Sequence, residues 1–239
     1  MRNLIMSATL TILAAILGSP CEAQTKRCAP SSTQVRLPSE QYRSLLDAVV
    51  DIGRARGVCM GVEHMDAALI DRAGATRESS GSAEAAVRSL LVGVPQYCVE
   101  TRGKILSVRP CKGNSNTWLD FRLSRFEAHT EQLQTMSAVL NMWLSDAVKP
   151  SKGYMGHYRS GNPANTVGPY NEANVSVREL LDRFVGDSSG AAWITVKPYA
   201  RRTANAEPAL FWLIAEYDDE SLVRSVLGQA RNGFVAAEK

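Results

Sequence analysis

The chain has 239 residues, a formal net charge of +3, 45% apolar residues and 21% charged ones. That balance belongs to a folded globular protein and argues against a disordered one. So mild a charge, with no recognition helix, zinc finger or stacking motif, argues against a nucleic-acid partner.

Arg2 precedes the apolar run Leu4–Leu17, which is shorter than the roughly 20 residues of a membrane-spanning helix. Gly18, Ser19 and Pro20 break the run, and Cys21-Glu22-Ala23 places small residues where a signal peptidase cuts. Residues 1–23 therefore read as a secretory signal peptide. A lipoprotein anchor on Cys21 is the rival, and Pro20 fits it poorly. No later run is long and apolar enough to span a bilayer, so the expected mature chain is exported, periplasmic or secreted, without a transmembrane segment. Cleavage after Ala23 leaves Cys28, Cys59, Cys98 and Cys111. An even cysteine count in an exported chain predicts disulfides, and four cysteines allow about three pairings.

Residues 24–33 form a polar lead-in, followed by a short extended piece, Gln34–Leu37. Ser39 is placed to cap a helix over Glu40–Arg56, whose Leu45, Leu46, Val49, Val50 and Ile52 share one face and whose end is marked by Gly57. Val58–His64 alternates as a strand, and Met65–Ser80 reads as a small-residue connection. In Gly81–Pro110, a helix with Ala86, Val87, Leu90, Leu91 and Val94 on one face feeds a hairpin of Gln96–Glu100 and Lys104–Arg109, turning at Arg102-Gly103.

Lys112–Asn116 marks a boundary, after which the order restarts. Thr117–Phe126 alternates, and Thr130 opens a helix carrying Leu133, Met136, Leu140, Trp143 and Leu144. A Gly/Asn/Pro/Tyr-rich loop spans Lys149–Asn174. Ser176 and Glu179 form a capping box for a helix with Val177, Leu180, Leu181 and Phe184 on one face. Strands Ala192–Val196 and Leu210–Glu216 flank a longer turn containing Arg201 and Arg202, and 218–239 is a weakly amphipathic tail. The words AAVRSLL and VSVRELL, each followed by a hairpin, indicate an internal repeat of two units, 34–111 and 117–217. The expected class is α+β: two tandem units, each a sheet with two helices on one face.

The ordered set LLDAVVDIGRARG, VCMGVEH, AEAAVRSLLVGVP and KILSVRP resembles the short N-terminal (STN) domain shared by secretins and TonB-dependent receptors. The resemblance covers the first unit; the second is a looser echo. It implies a periplasmic, non-catalytic interaction fold. The barrel, plug or secretin core that normally accompanies the domain has no counterpart in the sequence.

Cys59 and Cys98 sit on strand faces opposite their apolar neighbours, and Cys28 and Cys111 bracket the first unit, so Cys59–Cys98 and Cys28–Cys111 are the favoured pairs, with a stapling rather than a redox role. His64, His129 and His157 show no metal-ligand spacing, GxSxG is absent, and no cofactor is implied. Asp146, Asp182 and Asp187 read as helix-surface charge, and Gly186–Gly190 as a capping turn. The 149–174 loop holds the binding candidates: Tyr154, His157, Tyr158, Arg159 and Tyr170 combine flat apolar surfaces with polar tips, and Arg201 and Arg202 could add an anionic contact. The expected function is a non-enzymatic module that binds another envelope protein through a sheet edge or this loop. The alternatives are a glycan or peptidoglycan binder using the loop tyrosines, and a hydrolase with a site between the units.

Overall fold

A computed structural model describes residues 28–29, 35–37, 40–42, 44–65, 69, 72, 74–76, 79–111, 118–147, 154–156, 162–196 and 210–235. The chain is mixed α+β. Its strands are β1 (Val35–Leu37), β2 (Glu40–Tyr42), β3 (Cys59–Met65), β4 (Gly74–Thr76), β5 (Ser79–Gly81), β6 (Tyr97–Arg102), β7 (Ile105–Pro110), β8 (Arg122–Ala128), β9 (Glu131–Gln132), β10 (Tyr154–Gly156), β11 (Thr166–Val167), β12 (Tyr170–Ser176), β13 (Ala191–Val196) and β14 (Leu210–Glu216). The α-helices are α1 (Leu45–Arg56), α2 (Ala83–Leu90), α3 (Leu133–Ala147), α4 (Val177–Asp187) and α5 (Glu220–Val235).

Among the described residues the main sheet has six strands in the order β10-β14-β13-β3-β7-β6. Strands from both halves of the chain join in it, β13 lying parallel to β3, so the halves share one sheet rather than building one each. Strand alternation sends residues to two cores. Met60, Val62, Leu106, Val108, Ala192, Ile194, Leu213 and Ala215 face α1, α2 and α5. Ile105, Ala191, Trp193, Trp212 and Ile214 face α3, α4 and the antiparallel ribbon of β8 and β12. The first half's α1 and α2, joined by α5 from the C-terminal tail, cover one face of the common sheet, and α3 and α4 cover the other. The tail docks as α5, burying Val223, Val226 and Leu227.

Local signals explain the helix ends. The Gly57 cap is left-handed (φ 61°), and its N–H bonds to the carbonyls of Gly53 and Arg54. The Ser176–Glu179 capping box forms as predicted. The first helix starts later than expected: Ser44, not Ser39, caps it, accepting from the Asp47 amide at 3.2 Å. Residues 40–42 instead pair as β2 with β4, inside the stretch read as a connection. The first hairpin turns at Gly103-Lys104, flanked by the Arg102–Ile105 pair, with φ +57° at Gly103.

Both expected cysteine pairings are replaced. Cys28 bonds to Cys59 and Cys98 to Cys111, with Cα–Cα separations of 5.4 and 4.8 Å. Cys59 cannot reach Cys98 because β7 stands between β3 and β6. Two strand spacings are about 10 Å, beyond the roughly 7 Å limit of a disulfide. The two cysteines are also four residues apart along β7, opposite Ile105 and Arg109. The Ala29 amide donates to the Gly57 carbonyl, laying the lead-in beside the entry to β3 and Cys59. The Cys111 amide donates to Gln96, extending the hairpin ladder and bringing Cys111 to Cys98.

Candidate functional site

A surface cleft of about 490 Å³ opens where the start of α4 meets the start of β8 and the end of β6. Arg102, Asp120, Arg122, Ser176, Arg178, Glu179, Asp182 and Arg183 line it. It is built on Glu63, which the alternation of β3 turns toward α4. Glu63 is fully buried, and Arg178 in the first turn of α4 is 7% exposed. The Arg178 guanidinium grips Glu63 at both oxygens, Nε to Oε1 at 2.5 Å and Nη2 to Oε2 at 3.1 Å, and its Nη1 bonds to Asp120. Burial lowers the affinity of Arg178 for its proton, but the hydrogen bonds and charges of Glu63 and Asp120 outweigh this and the net direction is upward. Such a bidentate pair fixes the plane of the guanidinium as well as its position.

One turn along α4, Asp182 leans over the sheet. Its Oδ1 accepts from the Trp193 indole Nε1 at 2.8 Å. Loss of hydration on burial raises its pKa from an ordinary 3.8 to about 6. The negative charge of Glu63 adds to the rise, while the Trp193 bond and the positive charges of Arg102 and Arg178 oppose it. Trp193 lies across Gly61, where an added Cβ would meet its ring at 2.6 Å, so Gly61 lets the indole settle between β3 and α4. At the rim, Arg122 pairs with Glu179 and bonds to Asn174, Arg183 pairs with Glu172, and Arg102 pairs with Glu100.

The α4 N-terminus contributes no free amide to the cleft. Val177 N–H donates to Phe121, Arg178 N–H to Leu119 and Glu179 N–H to the Ser176 hydroxyl. The site therefore offers side-chain guanidiniums, one protonatable carboxyl and a hydroxyl. Among the described residues, no group of three or more His, Cys, Asp or Glu is arranged to hold a metal ion.

The predicted binding residues do not gather here. Tyr170 is a core residue: its ring packs against Phe184 and Phe126, with centroids 5.2 and 6.4 Å away, and its hydroxyl donates to Asp187 at 3.3 Å. The reason is that the second half of the 149–174 loop is not a loop. β12 pairs with β8 and buries Tyr170 and Val175 in the core beside α4, the left-handed Asn174 (φ 49°) between them breaking the strand alternation. Tyr154 lies in β10 at one edge of the sheet, its side chain outside the described residues, as is that of His64. His157, Tyr158, Arg159, Arg201 and Arg202 also lie outside the described residues, as does the 1–23 segment with Cys21. His129 is exposed. Of the helix aspartates, Asp146 and Asp187 are exposed as read, but Asp182 is part of the cleft. The GDSSG stretch is a capping turn: the Ser188 hydroxyl donates to Val185 at 2.6 Å as the chain leaves α4.

Glu63, Asp120, Arg178 and Asp182 carry no common motif or spacing in the sequence that marks them as a group. The usable signal was an arginine at the second position of a capped helix, beside the apolar stripe. Its partner Glu63 is 115 residues away in sequence. No family model, curated protein or solved structure matches the chain.

Proposed function

We propose that the chain is an exported, non-enzymatic protein-interaction module of the bacterial cell envelope, and that β6 with the adjoining cleft is its contact surface. The observation that carries this reading is the place of β6. Among the described residues it is the last strand in the sheet order, and its final residue, Arg102, lines the cleft, so edge and cleft are one surface. A two-residue turn makes Arg102–Ile105 a hydrogen-bonded pair. By alternation, Val99 opposite Val108 is a non-bonded pair, and its N–H points away from β7 toward the sheet edge. Adding a partner strand to such an edge is a common mode of peptide recognition.

Export is supported by the two disulfides and by the signal-like 1–23 segment. The order α1, β3, α2, β6, β7 is the one on which the STN resemblance rests, and an interaction role follows from that resemblance. The glycan alternative is weakened by the withdrawal of Tyr170 into the core.

The test is a pull-down from envelope extract with disulfide-intact protein, comparing the parent with Val99→Pro. Proline removes the outward N–H while leaving the bonded pairs to β7. Because Val99 is also buried in the core, the comparison is made on Val99→Pro whose near-UV circular dichroism matches the parent, with Thr101→Pro, an exposed position of the same non-bonded set, as the second variant. Recovery of a partner by the parent and by Met142→Ala, a control at an exposed methionine of α3, with loss in Val99→Pro, supports the proposal. Recovery of nothing, or of the same partner by Val99→Pro, contradicts it.

A further inference from the structure

We infer that the cleft receives the carboxylates of an acidic peptide segment and that Asp182 takes up a proton when it does. This rests on the interaction reading and names the chemistry of the partner. The first support is preorganisation. Arg178 is held from beneath by Glu63 and from the side by Asp120, so its orientation costs little when a ligand arrives. Those three bonds use three of its five N–H groups.

The second support is exchange. The side chains of Arg102, Arg122 and Arg183 are 36%, 48% and 44% exposed, and each is paired to a glutamate that is itself partly exposed. Exposed ion pairs are worth only about 0–1 kcal/mol. A ligand carboxylate can therefore replace Glu100, Glu179 or Glu172 at small net cost, and the four arginines that line the cleft outnumber its three carboxyls, one of which is Asp182. The direct contacts must come from side chains, because the first amides of α4 are already bonded.

The third support is the carboxyl itself. Asp182 lines the cleft among these arginines and accepts from Trp193 on β13. The charged groups facing it are Arg102 from β6, Glu63 from β3 and Arg178 from its own helix. Of the other elements packed on α4, β12 contributes Glu172, engaged by Arg183; β7 contributes Arg109, engaged by Glu100; and the only ionisable residue of α3, Asp146, is exposed. As a neutral acid, Asp182 removes one negative charge from the cleft and gains an O–H that can donate to an incoming carboxylate. As an anion, it repels that carboxylate. A pKa near 6 puts this change inside the physiological range. If only the neutral form binds, affinity falls by at most about 25-fold between pH 5.5 and 7.5.

The test is titration of the full oxidised chain with N-acetyl-hexa-aspartate amide at pH 5.5 and pH 7.5 in low salt, followed by tryptophan fluorescence and calorimetry. The parent should bind saturably and more tightly at pH 5.5, by up to about 25-fold. Asp182→Asn, neutral at both pH values, should bind with one affinity, and Arg102→Ala should bind more weakly at both. No saturable binding at pH 5.5, a pH dependence surviving in Asp182→Asn, or full affinity in Arg102→Ala would each overturn the inference. A chain that still recovers an envelope partner, loses it with Val99→Pro, and ignores the acidic peptide would keep the interaction reading and lose this one.

Discussion

Asp182 gives a stability prediction with a defined sign. The carboxyl sits one turn into α4, bonded to a fully buried tryptophan, and burial raises its pKa from 3.8 to about 6. A carboxyl with a raised folded pKa binds its proton better folded than unfolded. Its contribution is therefore full below pH 3.8 and is lost as pH rises through 6. Above that, the folded state carries a poorly hydrated anion that the unfolded chain hydrates freely. A shift of that size corresponds to about 3 kcal/mol at pH 7.5, falling below about 1 kcal/mol at pH 4. Asparagine keeps an acceptor for the Trp193 indole and carries no charge. Relative to the parent, Asp182→Asn should gain stability as pH rises from 4 to 7.5, toward that limit. The assay is guanidinium unfolding of oxidised parent and variant across this range, with midpoints and slopes fitted together. A stability difference that stays flat with pH, or grows as pH falls, would refute the assignment of a desolvated carboxyl at this position.

Arg178→Met should cost about 3–5 kcal/mol, because it strands the fully buried Glu63 carboxylate, and adding Glu63→Leu should recover most of the loss; denaturant unfolding of both variants checks this. Gly61→Ala should destabilise by about 1–3 kcal/mol by driving a methyl into the Trp193 ring, with a change in near-UV circular dichroism as the indole shifts. Non-reducing peptide mapping should recover Cys28 linked to Cys59 and Cys98 linked to Cys111. Mild reductant should open the second pair first, because Cys111 is exposed and Cys59 is buried. Replacing Cys98 and Cys111 together by serine should cost up to about 3 kcal/mol for a loop of this length.

Much of the fold was legible because its signals are local. The one-sided stripe of α1, the glycine at its end, the capping box of α4 and the hairpin after α2 are each written within a few neighbouring residues. The arrangement of the halves was not local. Whether β13 lies beside β3 or in a sheet of its own depends on which faces the helices cover, and both outcomes use the same alternating strands. The cysteine pairing failed for the same reason, since β7 intervenes between Cys59 and Cys98 only once the strand order is known. Tyr170 was misplaced because β12, with glutamate and two asparagines among its residues, reads as loop, and only pairing with β8 makes it a strand. The cleft was the least legible feature. Asp182 looks like ordinary helix-surface charge until Trp193 is laid against it, and Glu63 and Arg178 are strangers in sequence.

The central claim is that β6 is a docking edge, and photo-crosslinking in intact cells addresses it directly. A photoreactive residue at position 100 of β6 should capture a discrete envelope protein, while the same group at position 142 on α3 should not, and Val99→Pro should abolish the adduct at position 100. Adducts that form equally from both positions, or that persist in Val99→Pro, would contradict the account.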